Sequence, residues 1–482
     1  MKVMLIDPPG FMGHAIGRIL GSFGTNKADQ AWPPYDLQVM AGYCRKNRHD
    51  FKILDANNLR LSYEDVYKEI KSYNPDWVIY LTCFPNFILD AQIASAAKRV
   101  SPYIKTACMS LSIFSIREPE TQMRKIVDLD YIPWGEPEIT LMKLINGEEP
   151  KNIRGLYYRD SDGSVNFIRR ILWTGGEAER VRNLDDLGVP VHSSLPVDIY
   201  KCPLSLNYPM AIVNCSRGCI NWCVHCQAGA FQKPLRYRSV DNVLEELHEV
   251  RASGIKEIKF YDCSLPTNKE FTEQLCKAMI EEKFNFTWNC NVRAEVVNEE
   301  ILMAMKEAGC HTIAVGCDSA NPQILKNMRK NETVEQIEKA VDLVKKSGMR
   351  VLMYLTFGLE GETKETMEET YRFVKRLKPE FVTFGIVVPA PGTPFYDSLE
   401  RQGSLLGKDL EYQDPNALPS FLYPHLPPDD ILNFTRAAYR NYYFSKGYIL
   451  SRLKGLRSST EFKAGVENAY KMVRRYVLER VR

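Results

Sequence analysis

Residues Asn214 to Cys226 read NCSRGCINWCVHC and place four cysteines within thirteen positions. They begin where the apolar run MAIVNC (Met210–Cys215) ends, and such a run reads as a buried strand. Three ligand chemistries compete for so dense a cluster. Zinc takes four ligands, typically from two separated pairs, and Cys223-x2-Cys226 has no equally spaced partner pair elsewhere in the chain. An electron-carrying iron-sulfur cluster takes a thiolate on every iron, which would enlist Cys215 as the fourth ligand. The spacing Cys219-x3-Cys223-x2-Cys226 supplies three thiolates and leaves one iron of a 4Fe-4S cluster open for a substrate or cofactor. Spacing disfavours zinc and leaves the other two standing.

Working outward, MAIVNC is followed by EIKFYD, FTWNCNV, TIAVGCD, VLMYLTFG and FVTFGIVV, all strand-like. Helical patterns lie between them, such as SVDNVLEELHEVRASG and TVEQIEKAVDLVKKSG, with Ser or Thr at the start and Gly just after the end. Six such units predict a partial (β/α)6 barrel of the TIM type over residues 201–400, with its chemistry at the carboxyl ends of the strands. The cysteine stretch directly follows the first strand, where a site belongs.

Residues 1–145 carry the same rhythm. VMLID (Val3–Asp7), FKILDA (Phe51–Ala56) and WVIYLTC (Trp77–Cys83) read as buried parallel strands, with helices over Pro34–Asn47 and Ser62–Tyr73. This predicts an α/β fold with an N-terminal, Rossmann-like doubly wound domain whose ligands sit outside the carboxyl ends of the strands. Residues 146–200 are poorer in pattern and read as a linker with a hairpin turning at Asp162-Gly163. Residues 401–482 form a helical, basic C-terminal region. From Ile431 onward it holds twelve Lys or Arg against three Glu, with Tyr439, Tyr442, Tyr443, Phe444 and Tyr448 interleaved. One reading is a solvated basic helix laying its aromatics on the barrel; the other is a dock for an anionic or amphiphilic substrate or a membrane surface.

The composition bounds these readings. A chain of 482 residues implies two to four domains, and 45% hydrophobic with 26% charged residues is that of an ordinary globular protein. A net charge of +3 argues against a nucleic-acid partner. MKVMLIDPPG reaches Asp7 and two prolines before a signal-peptide core forms, and no apolar run reaches about eighteen residues. A cytoplasmic chain is therefore expected, in which thirteen cysteines stay mostly reduced.

The cysteine loop resembles that of the radical S-adenosylmethionine (SAM) superfamily, whose CxxxCxxC follows the first strand of a partial barrel. TWNCNVRAE (Thr287–Glu295), AGCHTIAVGCDSANPQIL (Ala308–Leu325), YLTFGLEGETKETMEET (Tyr354–Thr370) and PAPGTPFYD (Pro389–Asp397) resemble its later strand-end segments in order. The resemblance implies that Cys219, Cys223 and Cys226 hold a 4Fe-4S cluster and that SAM chelates the open iron through its amino and carboxylate groups. Reductive cleavage of SAM would then give a 5'-deoxyadenosyl radical that takes hydrogen from an unactivated C-H bond. Asp262 and Arg293 fall where strand-end groups would bind the ribose and carboxylate of SAM, and His225 where a side chain lies along the adenine. Gly316 and Asp318 stand where the family shows a glycine and a Glu-Ser pair. GLEGET departs from the family pattern, with Glu360 where proline is usual. Cys215, Cys263, Cys290, Cys310 and Cys317 are expected to pack as small apolar side chains.

The first 145 residues resemble the cobalamin-binding domain of one large branch of this superfamily, through DPPG, WPPYDLQVMAGYCRKNRHDFKILDAN and WGEPEITLMKLI. That likeness implies corrinoid contacts at Pro8, Pro9, Thr82, Cys83, Met109, Ser110 and Glu136. MGHAIG nearly spells the DxHxxG signature of cobalt-ligating histidines, but Met12 replaces the Asp that would orient His14. TACMSLSIF (Thr106–Phe114) stands where the branch has a Gly-Gly pair, and side chains there obstruct a close approach. The domain reads either as a cobalamin carrier or as a scaffold that caps the barrel.

The leading expectation is an enzyme that functionalises a C-H bond, by cobalamin-dependent methyl transfer. The runner-up is non-methylating ring closure or C-C or C-O bond formation on a lipid or tetrapyrrole. The alternative of another class is an electron carrier with a cluster closed by Cys215. The expected partners are a small-molecule, lipid or amphiphilic substrate and a low-potential donor such as ferredoxin or flavodoxin. A peripheral membrane contact stays open, and no catalytic side chain is assigned.

Overall fold

The computed structural model describes residues 1–11, 14–20, 31–168, 180–231, 233–406 and 418–454. These divide into two compact units. The first runs to Tyr200 and also takes in Arg236–Ser253; the second is made of Lys201–Leu235 and the chain from Gly254 onward.

The first unit is built on a seven-stranded sheet. Its strands are β1 (Lys2–Asp7), β2 (Asp50–Asp55), β3 (Trp77–Leu81), β4 (Lys105–Met109), β5 (Tyr131–Pro133), β6 (Leu156–Arg159) and β7 (Val165–Ile168), in the order β2-β1-β3-β4-β5-β6-β7. The first five run parallel and β6 and β7 antiparallel, so the hairpin at Asp162-Gly163 extends the sheet by two strands. Val3 to Ile6 and Val78 to Tyr80 are fully buried, as expected of central strands covered on both faces. Helix Tyr63–Tyr73 starts on a capping box in which Ser62 and Asp65 satisfy each other's amides.

Buried charge gathers at the carboxyl ends of these strands. Arg18, brought in by the loop after β1, pairs with Asp7 at 2.8 Å and with Asp90 at 2.6 Å, all three side chains being out of solvent. Its guanidinium also donates to the carbonyls of Pro8 and Pro9. Thr82 Oγ donates to Asp90, and Tyr200 donates to Asp55. Burial pushes the Asp7 carboxyl up to about 7 and that of Asp90 to about 6, even against the neighbouring guanidinium.

The second unit carries six parallel strands in consecutive spatial order: β8 (Met210–Val213), β9 (Glu257–Phe260), β10 (Thr287–Val292), β11 (Cys310–Asp318), β12 (Arg350–Phe357) and β13 (Phe381–Ile386). Consecutive order is what a run of βα units produces as it curls into a barrel. The helices start on side-chain N-caps, at Thr333 as the sequence implied and at Asn268, Asn298 and Thr363 besides. Along β12, Met353, Leu355 and Phe357 are buried while Tyr354 and Thr356 alternate with them and stay partly exposed.

The helix Pro428–Tyr443 closes the outer edge of this sheet. The amides of Val382 and Phe384 on β13 donate to the hydroxyls of Tyr443 and Tyr439. In turn Tyr443, Tyr442 and Tyr448 donate to the carbonyls of Val382, Pro379 and Glu380. The interleaved tyrosines therefore serve the fold; the basic residues from 455 onward lie outside the described residues. No helix among the described residues is long and apolar enough to cross a membrane.

Candidate active site

The three cysteines predicted as cluster ligands lie on one short loop at the carboxyl end of β8, each partly exposed. The loop is held by its backbone. Cys226 N-H donates to Cys223 O at 3.1 Å, and Asn221 N-H donates to the Cys219 sulfur at 3.5 Å. Val224 ties it to two later segments, donating to Met328 O and accepting from Phe395 N-H. Gly229 is required here, since a Cβ would come within 2.8 Å of Asn221 O.

Asp262 anchors the root of the loop. Its two oxygens accept the Cys215 N-H at 3.1 and 3.2 Å, and Ser216 Oγ donates to the same carboxylate. The side chain is fully buried, and burial pushes it up to about 6 despite those donors. Cys215 itself is buried, and its amide spans the turn from strand to loop.

The next residue adds a fourth thiol. Cys263, exposed just past β9, stands beside Cys219, and its thiol holds that of Cys219 down to about 6 against the opposing effect of burial. Burial pushes Cys223 up to about 11 and raises Cys226 as well. Cys219 is thus the thiol of the loop most ready to ionise.

Facing the loop is a chain of alternating charges. Lys330, almost fully buried, pairs with Asp318 and with Glu332, and Arg293 reaches Glu332, Glu295 and the carbonyl of Lys330. Thr356 Oγ donates to Asp318 at 3.1 Å. Burial pushes Asp318 up, but Lys330, His225 and the two hydrogen bonds outweigh it and hold the carboxyl below its ordinary value. Asp318 has a backbone φ of +61°, and Gly316 two residues before it leaves the space in which a Cβ would come to 3.3 Å from Lys330 Nζ.

The structure therefore brings Cys219, Cys223, Cys226, His225, Arg293, Gly316 and Asp318 into one neighbourhood, with Asp262 supporting from below. Lys330, Glu332 and Thr356 are additions. The first two sit in MRKNE (Met328–Glu332), after a helix, where a search confined to strand ends does not look. The GLEGET turn is capped by Glu362, whose Oε2 accepts the Gly358 and Leu359 amides while its Oε1 has no partner.

A cluster with SAM on its open iron fits these residues. Three thiols share one loop, His225 Nδ1 beside them is buried without a hydrogen-bond partner, and Gly316 keeps the neighbouring backbone bare. In the first unit, the residues proposed for a corrinoid meet a different situation. Thr82 is bonded to Asp90, Ser110 shares a hydrogen bond with Ser112, and Glu136 pairs with Arg236 and accepts the Val181 amide. Cys83 and Met109 are buried. Met12 and Gly13 of MGHAIG lie outside the described residues.

Comparisons with known proteins bear on this site. Residues 213–374 match the family described as Radical SAM superfamily. The chain is 31% identical over 451 residues to an uncharacterized methyltransferase of Pyrococcus horikoshii, covering 92% of each. It is 25% identical to the anaerobic magnesium-protoporphyrin IX monomethyl ester cyclase of Rubrivivax gelatinosus, over 93% of this chain and 78% of that one. Among solved structures, the radical SAM methyltransferase TsrM of Kitasatospora setae, with cobalamin and a [4Fe-4S] cluster bound, superposes with a TM-score of 0.70 at 15% identity, over 98% of both chains. The cobalamin-dependent SAM radical enzyme OxsB gives 0.68 at 15% identity, over 98% of this chain and 71% of that one. At such identities the likeness is one of fold, extending through both units. The thiol spacing, the six-stranded barrel and the full-length relation to the archaeal protein meet in one conclusion: the chain belongs to the radical SAM superfamily.

Proposed function

We propose that the protein is a radical SAM C-methyltransferase that uses cobalamin as its methyl carrier. One observation carries the reading: a loop at the end of β8 with three cysteines and a His225 whose Nδ1 is buried without a hydrogen-bond partner, in a chain 31% identical, over 92% of its length, to a protein described as an uncharacterized methyltransferase. When bound, the cluster and SAM supply a carbon radical able to take hydrogen from an unactivated C-H bond, and a corrinoid supplies a methyl group. Everything else falls to the chain. Cys219, Cys223 and Cys226 hold the cluster, and Asp262 fixes the turn from which they hang. Arg293 and the Lys330–Asp318 pair present paired charge to the amino and carboxylate groups of SAM, and His225 Nδ1 offers a hydrogen bond to its nucleoside.

The relation to the cyclase favours a second reading, ring closure without methyl transfer. Anaerobic reconstitution with SAM, a strong reductant and hydroxocobalamin separates the two. Methyl transfer gives 5'-deoxyadenosine and S-adenosylhomocysteine together, with a corrinoid that stays on the protein through gel filtration. Ring closure gives 5'-deoxyadenosine alone. Neither product, with about four irons bound, would refute the enzyme reading.

A further inference from the structure

Two large apolar side chains stand in solvent within the cysteine loop itself. Ile220 is 54% exposed and Trp222 is 62% exposed, and they lie between Cys219 and Cys223. A loop that must shield an oxygen-sensitive group gains nothing by turning a tryptophan outward, and exposed aromatics adjoining a functional group mark an interaction surface.

Trp222 is also held in place. Lys233 Nζ lies 3.4 Å from the centroid of its ring and donates to the carbonyl of Ile220 at 3.3 Å, so one ammonium clamps both tip residues. The segment that forms the loop and the segment that abuts it carry basic residues alone. From Lys201 to Leu235 the chain contains no Asp or Glu, and none occurs between Asp318 and Glu332. That second segment abuts the loop through the bond between Val224 and Met328, and it exposes Lys326 and Arg329.

We propose that Ile220, Trp222 and Lys233 form the docking face for a small acidic electron-carrier protein that reduces the cluster. An apolar centre with a basic rim matches a partner whose redox centre emerges at an apolar spot ringed by carboxylates. Trp222 is the neighbour of one cluster cysteine and three positions from another, so a carrier seated there stands as near the cluster as the surface permits. The step is a single electron: the reduced flavin or iron-sulfur centre of the carrier is oxidised by one electron, and the cluster is reduced by one. No bond forms or breaks. The inference rests on the assignment of Cys219, Cys223 and Cys226 as cluster ligands.

The test compares two reductants on the reconstituted full-length protein, reduced flavodoxin and dithionite, with 5'-deoxyadenosine as the readout. In I220S/W222A, and separately in K233E, the flavodoxin-driven rate is expected to fall at least tenfold while the dithionite-driven rate stays within twofold. K233E should also flatten the dependence of the flavodoxin-driven rate on salt, because screening acts on the charge it reverses. Should I220S/W222A lose iron, K326E/R329E makes the same comparison from outside the loop. Equal rates with flavodoxin in wild type and variants would overturn the proposal, as would parallel losses with both reductants. If wild type forms no 5'-deoxyadenosine with dithionite, the failure lies with the enzyme reading and not with the docking face.

Discussion

The Cys263 thiol stands beside the sulfur of Cys219, which sets a fourth cysteine against a loop that otherwise carries three. The contact makes Cys219 unusually acidic. In the metal-free protein at pH 7, iodoacetamide should therefore alkylate Cys219 ahead of Cys223 and Cys226. In Cys263→Ala the Cys219 thiol returns toward about 8.5, and its rate should drop several-fold, as read by peptide mass spectrometry.

Cluster retention separates ligands from neighbours. Cys219→Ala, Cys223→Ala and Cys226→Ala should each lose the visible sulfur-to-iron charge-transfer absorbance and most bound iron after reconstitution, whereas Cys215→Ala and Cys263→Ala keep both. An iron content in Cys215→Ala as low as in Cys223→Ala would restore the closed-cluster electron carrier.

Lys330 holds Asp318 and Glu332 apart in a site with little solvent. Lys330→Met leaves two buried carboxylates without their cation, and removing one member of such a group costs about 3–5 kcal/mol. Urea unfolding of the metal-free protein should show that loss at pH 8 and a smaller one at pH 5, where protonation relieves the pair. A variant as stable as wild type at both values would show that the charges are solvated.

Glu362 gives a pH dependence with a definite sign. Burial pushes its carboxyl up to about 8, so the folded state binds a proton that the unfolded state has already released. Stability from this group is present below about 4.3, the ordinary Glu value, and is lost as pH rises toward 8. Glu362→Gln keeps one oxygen for the Gly358 and Leu359 amides and removes the charge. It should raise the melting temperature by a few degrees at pH 8, with little change at pH 4.5.

Tyr439→Phe and Tyr443→Phe each remove a hydroxyl that accepts an amide of β13. Each should cost about 1–2 kcal/mol in urea unfolding, since a buried donor is left unpaired. A loss confined to a few tenths would mean that water replaces the phenol.

The strands were legible because burial writes itself locally: EIKFYD or VLMYLTFG needs no partner to be read. The cysteine loop was legible because four cysteines in thirteen positions have no packing reason. What local pattern does not carry is pairing at a distance. Arg18 meets Asp90 across 72 positions, and nothing in the loop after β1 announces a buried arginine. Asp262 sits beside the cysteine loop, yet its oxygens face Cys215 and Ser216, a direction set by the neighbouring strand. Cys263 looked like one more small apolar residue, because a thiol shows its role only beside another sulfur. The tyrosines after Ile431 admitted two readings until the edge they cover was known.

That edge also sets a schedule for the nascent chain. Val382 waits for Tyr443, which lies 61 residues downstream. At about 5–20 residues per second, a ribosome leaves the last strand of the barrel without its cover for on the order of seconds. Through that interval a bare row of amides and carbonyls is open to any passing strand, including that of a sister polypeptide on the same message. Slow elongation past Phe384 should therefore favour inclusion bodies, and expression conditions that speed completion should favour soluble yield.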